Sequence, residues 1–156
     1  MVPLFPRQAD NDFRGWRIAI WLLVLVTFVR LGMNWQMLFN TRFAAQTADA
    51  IALDKFGQDG ATAFLMMFML FGWDFLLLNL LAVIVLIRYR ALIPFIYLLF
   101  LVEQVGRFVL LRTHPIARTG EHVLPFNIHY PLIALLAIGL ALSLIPRSKR
   151  AKLAGA

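Results

Sequence analysis

An all-α integral membrane protein, a bundle of four transmembrane helices with a short amphipathic helix between spans 1 and 2, is the fold class this sequence predicts. Three observations predict it. Hydrophobic residues make up 62% of the 156 and charged residues only 15%, where a soluble domain carries about 25% charge. The mean hydropathy is +0.79. The apolar residues are also gathered into four runs, separated by clusters of charge, proline and glycine.

Residues 1–15 are polar and mixed in charge, with Pro3, Pro6, Asp10 and Asp12, and read as a short flexible cytoplasmic arm. The run 16–38 holds about 23 residues, enough at a rise of about 1.5 Å each to cross a hydrocarbon layer of about 30 Å. It is longer than a signal-peptide core and is preceded by acids as well as bases. The small-x-small triplet Ala48-Asp49-Ala50 lies far beyond it, so it reads as a retained first span.

Residues 40–60 are too polar to span. Phe43, Thr47, Ala50, Ile51 and Leu53 fit one side of a helix, with Arg42, Gln46, Asp49 and Lys55 turned elsewhere and Gly57 as a C-terminal stop. That pattern predicts an amphipathic surface helix that covers the mouth of the bundle, or a lid hinged at Gly57 and Gly60. Residues 61–87 form the second span, and Arg88-Tyr89-Arg90 makes a tight turn into the third, 91–112. A loop broken by Pro115, Gly120 and Pro125 leads to the fourth span. Asn127 or Tyr130 caps it, Pro131 falls in its first turn, and Pro146 stops it. The bundle thus occupies 16–145 and a basic cytoplasmic tail 146–156.

Basic residues set the orientation. Nine of them, Arg7, Arg14, Arg17, Arg88, Arg90, Arg147, Lys149, Arg150 and Lys152, share the side of the two termini, and four, Arg42, Lys55, Arg112 and Arg118, lie on the other. The positive-inside rule then puts both termini in the cytoplasm, and the expected location is an inner, cell-type membrane. Contact with anionic membrane lipid accounts for the net charge of +7, so no nucleic-acid partner is expected. There are no cysteines, which excludes disulfides and thiol redox chemistry.

Four ionisable residues lie well inside the apolar runs: Arg30 on the first span, Asp74 on the second, and Glu103 with Arg107 on the third. Each costs about 2.5 to 3.5 kcal/mol at the centre of a membrane helix unless the protein satisfies it. Glu103 and Arg107 stand one turn apart on one face. Thr27, Arg30 and Asn34 form a polar stripe at helical spacing, and Asp74 is expected to find Arg30 or Arg107 across the bundle. Gly72 and Gly106 would allow close backbone approach beside these groups, and the uncharged fourth span, with Gly139, reads as a packing wall.

Two readings follow. The tetrad is either a structural ion-pair network that fixes helix register, or the lining of a pocket in the outer half of the bundle. In the pocket reading Asp74 or Glu103 exchanges a proton, and Arg30, Asn34, Trp73, Gln104 and Arg107 hold the ligand, a small amphiphilic or lipid-soluble molecule. Tyr97 and Gln104 share a face about 100° from Glu103. Trp35 reads as lining or as an interface anchor. An accessory subunit of a larger membrane complex and a small proton-coupled transporter working as an oligomer are the alternative functions. The partners to expect are therefore membrane lipid, a small lipophilic ligand, and a membrane-protein partner or a second copy.

No metal or cofactor is expected. His114, His122 and His129, with Glu121, have no ligand spacing and read as loop residues. Met33, Met37, Met66, Met67 and Met69 are soft-metal donors in principle and adaptable packing in the plainer reading. Phosphate-binding and hydrolase motifs are absent from the sequence.

Overall fold

A computed structural model describes residues 2–6, 8–48, 50–114 and 124–146, with side chains at all of these except 48 and 124–128. Its long elements are four helices: α1 (Arg17–Phe39), α2 (Gln58–Arg88), α3 (Ile93–Thr113) and α4 (Leu124–Leu144). The first three are long and apolar enough to cross a membrane, the third counted together with the 3-10 turn Arg90–Leu92 that leads into it. The fourth is apolar over His129–Leu144. Glu121, His122, Arg118, Asp49, Arg7 and the tail bases Arg147, Lys149, Arg150 and Lys152 lie outside the described residues.

Each helix buries a seam at helical spacing. On α1 it is Ala19, Leu23, Val26, Thr27, Arg30 and Asn34. On α3 it is Ile93, Ile96, Tyr97, Phe100 and Gln104. On α4 it is His129, Leu132, Leu136 and Ser143. The most extensive packing joins α1 to α2 and α3 to α4, and α1 also packs on α4.

Tyr97 sits at the centre of the apolar core. It is fully buried and donates a hydrogen bond of 2.6 Å from its hydroxyl to the Ala19 carbonyl. Its ring lies where a side chain at 139 would stand, so only glycine fits there. Gly72 is a second close approach, because a Cβ there would stand 2.9 Å from Cβ of Met37. Gly106 has nothing within 4 Å, so the close approach expected there is absent.

Three expectations are corrected. The arm is docked rather than free: the Val2 N–H donates to the Leu144 carbonyl (3.0 Å), that of Trp16 to Leu142 (3.3 Å), and that of Ala91 to Asp10 (3.2 Å). Phe5 packs on Phe95, and salt bridges from Arg14 to Asp10 and Asp12 close the arm on itself. These bonds gather the arm, the α2–α3 turn and the end of α4 at one end of the bundle.

The second correction is the amphipathic helix, which does not form as one element. In its place stand a turn of α-helix (Thr41–Phe43), a π turn (Ala44–Ala48) and a 3-10 turn (Leu53–Lys55), with Ala50 in the left-handed region at φ 51°. Bending is what brings Ala45, Ile51 and Leu53 inward onto Phe56, Phe64, Leu65 and Phe68, while Phe43 and Thr47 of the expected apolar side stay exposed. Gly57 caps the start of α2 instead of stopping a helix before it.

The third concerns Pro131, which lies inside α4 and not in its first turn, because the helix begins at Leu124. A missing N–H is tolerated where neighbouring helices cover the backbone.

Candidate functional site

The polar seam of α1 meets α3 at the Arg30 side chain. Its Nη2 donates to Oε2 of Glu103 at 2.7 Å. One turn along α3, Nε of Arg107 stands 3.5 Å from the other carboxylate oxygen, Oε1. The three side chains are 6%, 17% and 29% exposed respectively, so two guanidiniums share one carboxylate in a largely covered setting. Aromatic faces complete the cradle: Arg30 lies 4.3 Å over the Phe100 ring and Arg107 4.1 Å over that of Phe75. Such stacking suits a guanidinium, which is more weakly hydrated than an ammonium and carries a planar charge.

A cavity of about 30 Å³ opens beside this triad, where all four helices meet. Arg30, Asn34, Gln104, Arg107 and His129 form its polar wall, and Met33, Met37, Phe75 and Leu132 its apolar one. Gln104 and His129 are bonded to each other through Nε2 and Nδ1 at 2.5 Å. Two buried donors on the wall have no acceptor: Nε of Arg30 and Nδ2 of Asn34. A buried donor left unmet costs about 1 to 3 kcal/mol. Oε1 of Glu103, also buried, accepts no hydrogen bond, so the donors Arg30 Nε and Asn34 Nδ2 are short of an acceptor of their own. The space suits one such acceptor group, or a water, rather than a whole ligand.

No family model, curated protein or solved structure matches this chain.

Of the residues singled out in the sequence, Arg30, Asn34, Gln104 and Arg107 line the cavity, and Glu103 holds both arginines. Gln104, turned from Glu103 on α3, lines the cavity beside His129 of α4, whereas Glu103 itself does not line it. Asp74 and Trp73 do not join them: both are exposed on α2. Asp74 therefore does not pair with Arg30 or Arg107, and the expected tetrad is a triad. The reason is angular. Gly72 faces Met37 of α1, and two residues further on the helix has turned by about 200°.

Trp35 is also exposed, packed on Phe39, and Tyr97 is a core residue outside the cavity. Met66, Met67 and Met69 are exposed on α2, apart from the cavity-lining Met33 and Met37. Among the described residues no three of His, Cys, Asp or Glu come together as a metal site.

His129 is the residue that the sequence reading missed. It is buried in α4, 5% exposed, and not in a loop. The signal was present: 129, 132, 136, 139 and 143 recur at helical spacing and all face inward. His114, by contrast, ends α3 in an exposed position beside Thr113.

Proposed function

We propose that this chain is a four-span membrane bundle, with α4 as the fourth span, that binds the anionic or carbonyl head group of a small amphiphile in the cavity beside Arg30 and Arg107. The positive-inside count supports an inner membrane with both termini in the cytoplasm and the cavity in the outer half. The observation that carries the reading is the pair of buried, unbonded donors, Arg30 Nε and Asn34 Nδ2, on two residues that line the cavity. An incoming carboxylate or phosphate oxygen supplies the acceptor that these donors lack. Partial exposure of Arg107 and Met33 gives the head group a way in from the bundle surface, while the tail stays among lipid chains.

Binding is favoured over catalysis because the two carboxylates expected to move protons are placed otherwise. Glu103 is engaged by both arginines, and Asp74 lies outside the cavity.

The test is thermal denaturation of the purified chain in neutral detergent, with a long-chain fatty acid anion or the alcohol of equal length. The carboxylate raises the melting temperature and the alcohol does not. Asn34→Leu removes the response, and Asp74→Asn retains it. Equal shifts with acid and alcohol, or a response that survives Asn34→Leu, would refute the head-group site.

A further inference from the structure

The cavity leaves a second buried-type charge unexplained. On α2, Met67, Leu70, Asp74, Leu77, Leu81 and Ile84 follow one another at intervals of three and four, so they share one side of the helix, the geometry that a pairing helix would need. The apolar members are 41% to 59% exposed, and Asp74 is exposed among them. No described element of the chain covers this seam, and α2 is the least buried of the three spanning helices. Asp74 makes no hydrogen bond or ion pair with any described residue.

Charge says what the occupant must carry. Asp74 lies midway along a helix of 31 residues, at a depth where acyl chains offer a carboxylate nothing and only protein or penetrating water can answer it. A basic side chain from a neighbouring helix at the same depth answers it fully. A second copy of this chain does not supply one. Parallel pairing through the same seam would set Asp74 against Asp74. The chain's own mid-span bases, Arg30 and Arg107, are turned in on Glu103, and Arg88 and Arg112 stand at helix ends.

We infer that the 67–84 seam of α2 docks a transmembrane helix of another protein, one that carries a single Arg or Lys at mid-membrane to pair with Asp74. This goes beyond the head-group pocket and uses a different face of α2, so each reading can fail without the other. The apolar members supply knobs on either side of the pair, and the charge fixes register, as a lone polar residue does in a coiled-coil seam.

The probe is a set of synthetic Leu-Ala helices of about 23 residues, long enough to span, with Arg, Leu or Glu at the centre. Each is placed in phosphatidylcholine vesicles with the full chain tagged at its C-terminus, and energy transfer is read. The Arg helix associates about tenfold more tightly than the Leu helix, and the Glu helix more weakly than either. Asp74→Leu and Asp74→Asn both erase the preference, while Asp74→Glu keeps it; unchanged melting of these variants shows that the fold is intact. Equal association of the Arg and Leu helices, or a preference that survives both neutral variants, overturns the proposal. So does energy transfer between two differently tagged copies that Asp74→Leu abolishes, since the seam would then belong to a second copy.

Discussion

Glu103 and Asp74 are both carboxylates on apolar helices, and the regions around them could hardly differ more. Glu103 lies inside the bundle, with Arg30 at 2.7 Å, Arg107 at 3.5 Å and two aromatic rings behind the guanidiniums. Asp74 lies on the outer side of α2 with leucines and a methionine above and below it. The difference teaches that hydropathy and depth do not decide the fate of an intramembrane charge. Its angle on the helix does, relative to the residues that let a neighbour come close. Glu103 precedes the buried Gln104 by one position and is within reach of Arg30 on the α1 seam. Asp74 is turned away from Gly72, the point where α1 touches α2.

The sharpest way to break this contrast is to neutralise each acid in turn. Glu103→Gln takes the counter-charge from the buried Arg30 guanidinium, and loss of one partner of a buried pair costs about 3 to 5 kcal/mol. Thermal or denaturant unfolding in detergent reads this as a large loss of stability. A small loss would mean that water or lipid head groups already satisfy the arginines, and the interior would then be no different from the outer face.

A second variant asks whether that loss is the pair itself. Arg30→Met combined with Glu103→Leu removes both members of the closest pair and leaves Arg107, the most exposed of the three, on the Phe75 ring. The double variant recovers about 1 to 3 kcal/mol relative to the sum of the single changes, the coupling expected of residues in direct contact. Additive losses would show that the two side chains act separately.

These two regions also mark how far the sequence was legible. The long helices were readable because apolar runs interrupted by charge have few other solutions, and the observed α1, α2 and α3 lie within a few residues of the runs. The stripe of Thr27, Arg30 and Asn34 and the one-turn spacing of Glu103 and Arg107 pointed to a shared interior because each set stands on one face of its helix. On α2 no such guide exists. It is apolar nearly all round, so the direction of Asp74 could be fixed only by knowing which side α1 occupies.

His129 was hidden for a different reason. Pro131 two positions later looked like a helix start, whereas the helix already runs from Leu124. The 40–57 connection and the N-terminal arm escaped because their apolar residues reach the bundle by bending and by docking, and neither leaves a periodic trace.

Away from the charges, the apolar end of the bundle supplies a control. Tyr97→Phe removes the hydroxyl that bonds the Ala19 carbonyl and leaves the ring against Gly139. The Ala19 carbonyl retains its place in the α1 ladder, so the cost is that of one neutral hydrogen bond, about 1 kcal/mol. Measured beside Glu103→Gln, this variant shows that the larger loss belongs to charge and not to buried polarity in general. A loss equal to that of Glu103→Gln would remove the distinction.

The smallest effect is expected at the other carboxylate. Asp74→Asn touches no hydrogen bond or ion pair of the described chain, so in detergent it should change unfolding by no more than about 0.5 kcal/mol, as exposed substitutions do. The same change of one charge is thus expected to be severe inside the triad and nearly silent on α2 when the chain is alone. That silence is informative, because an acid that contributes nothing to the isolated fold must draw any value it has from what lies beside the helix outside the chain. Should Asp74→Asn destabilise the purified chain as strongly as Glu103→Gln, the carboxylate would have a partner within the fold, and both the triad and the docking seam would have to be redrawn around it.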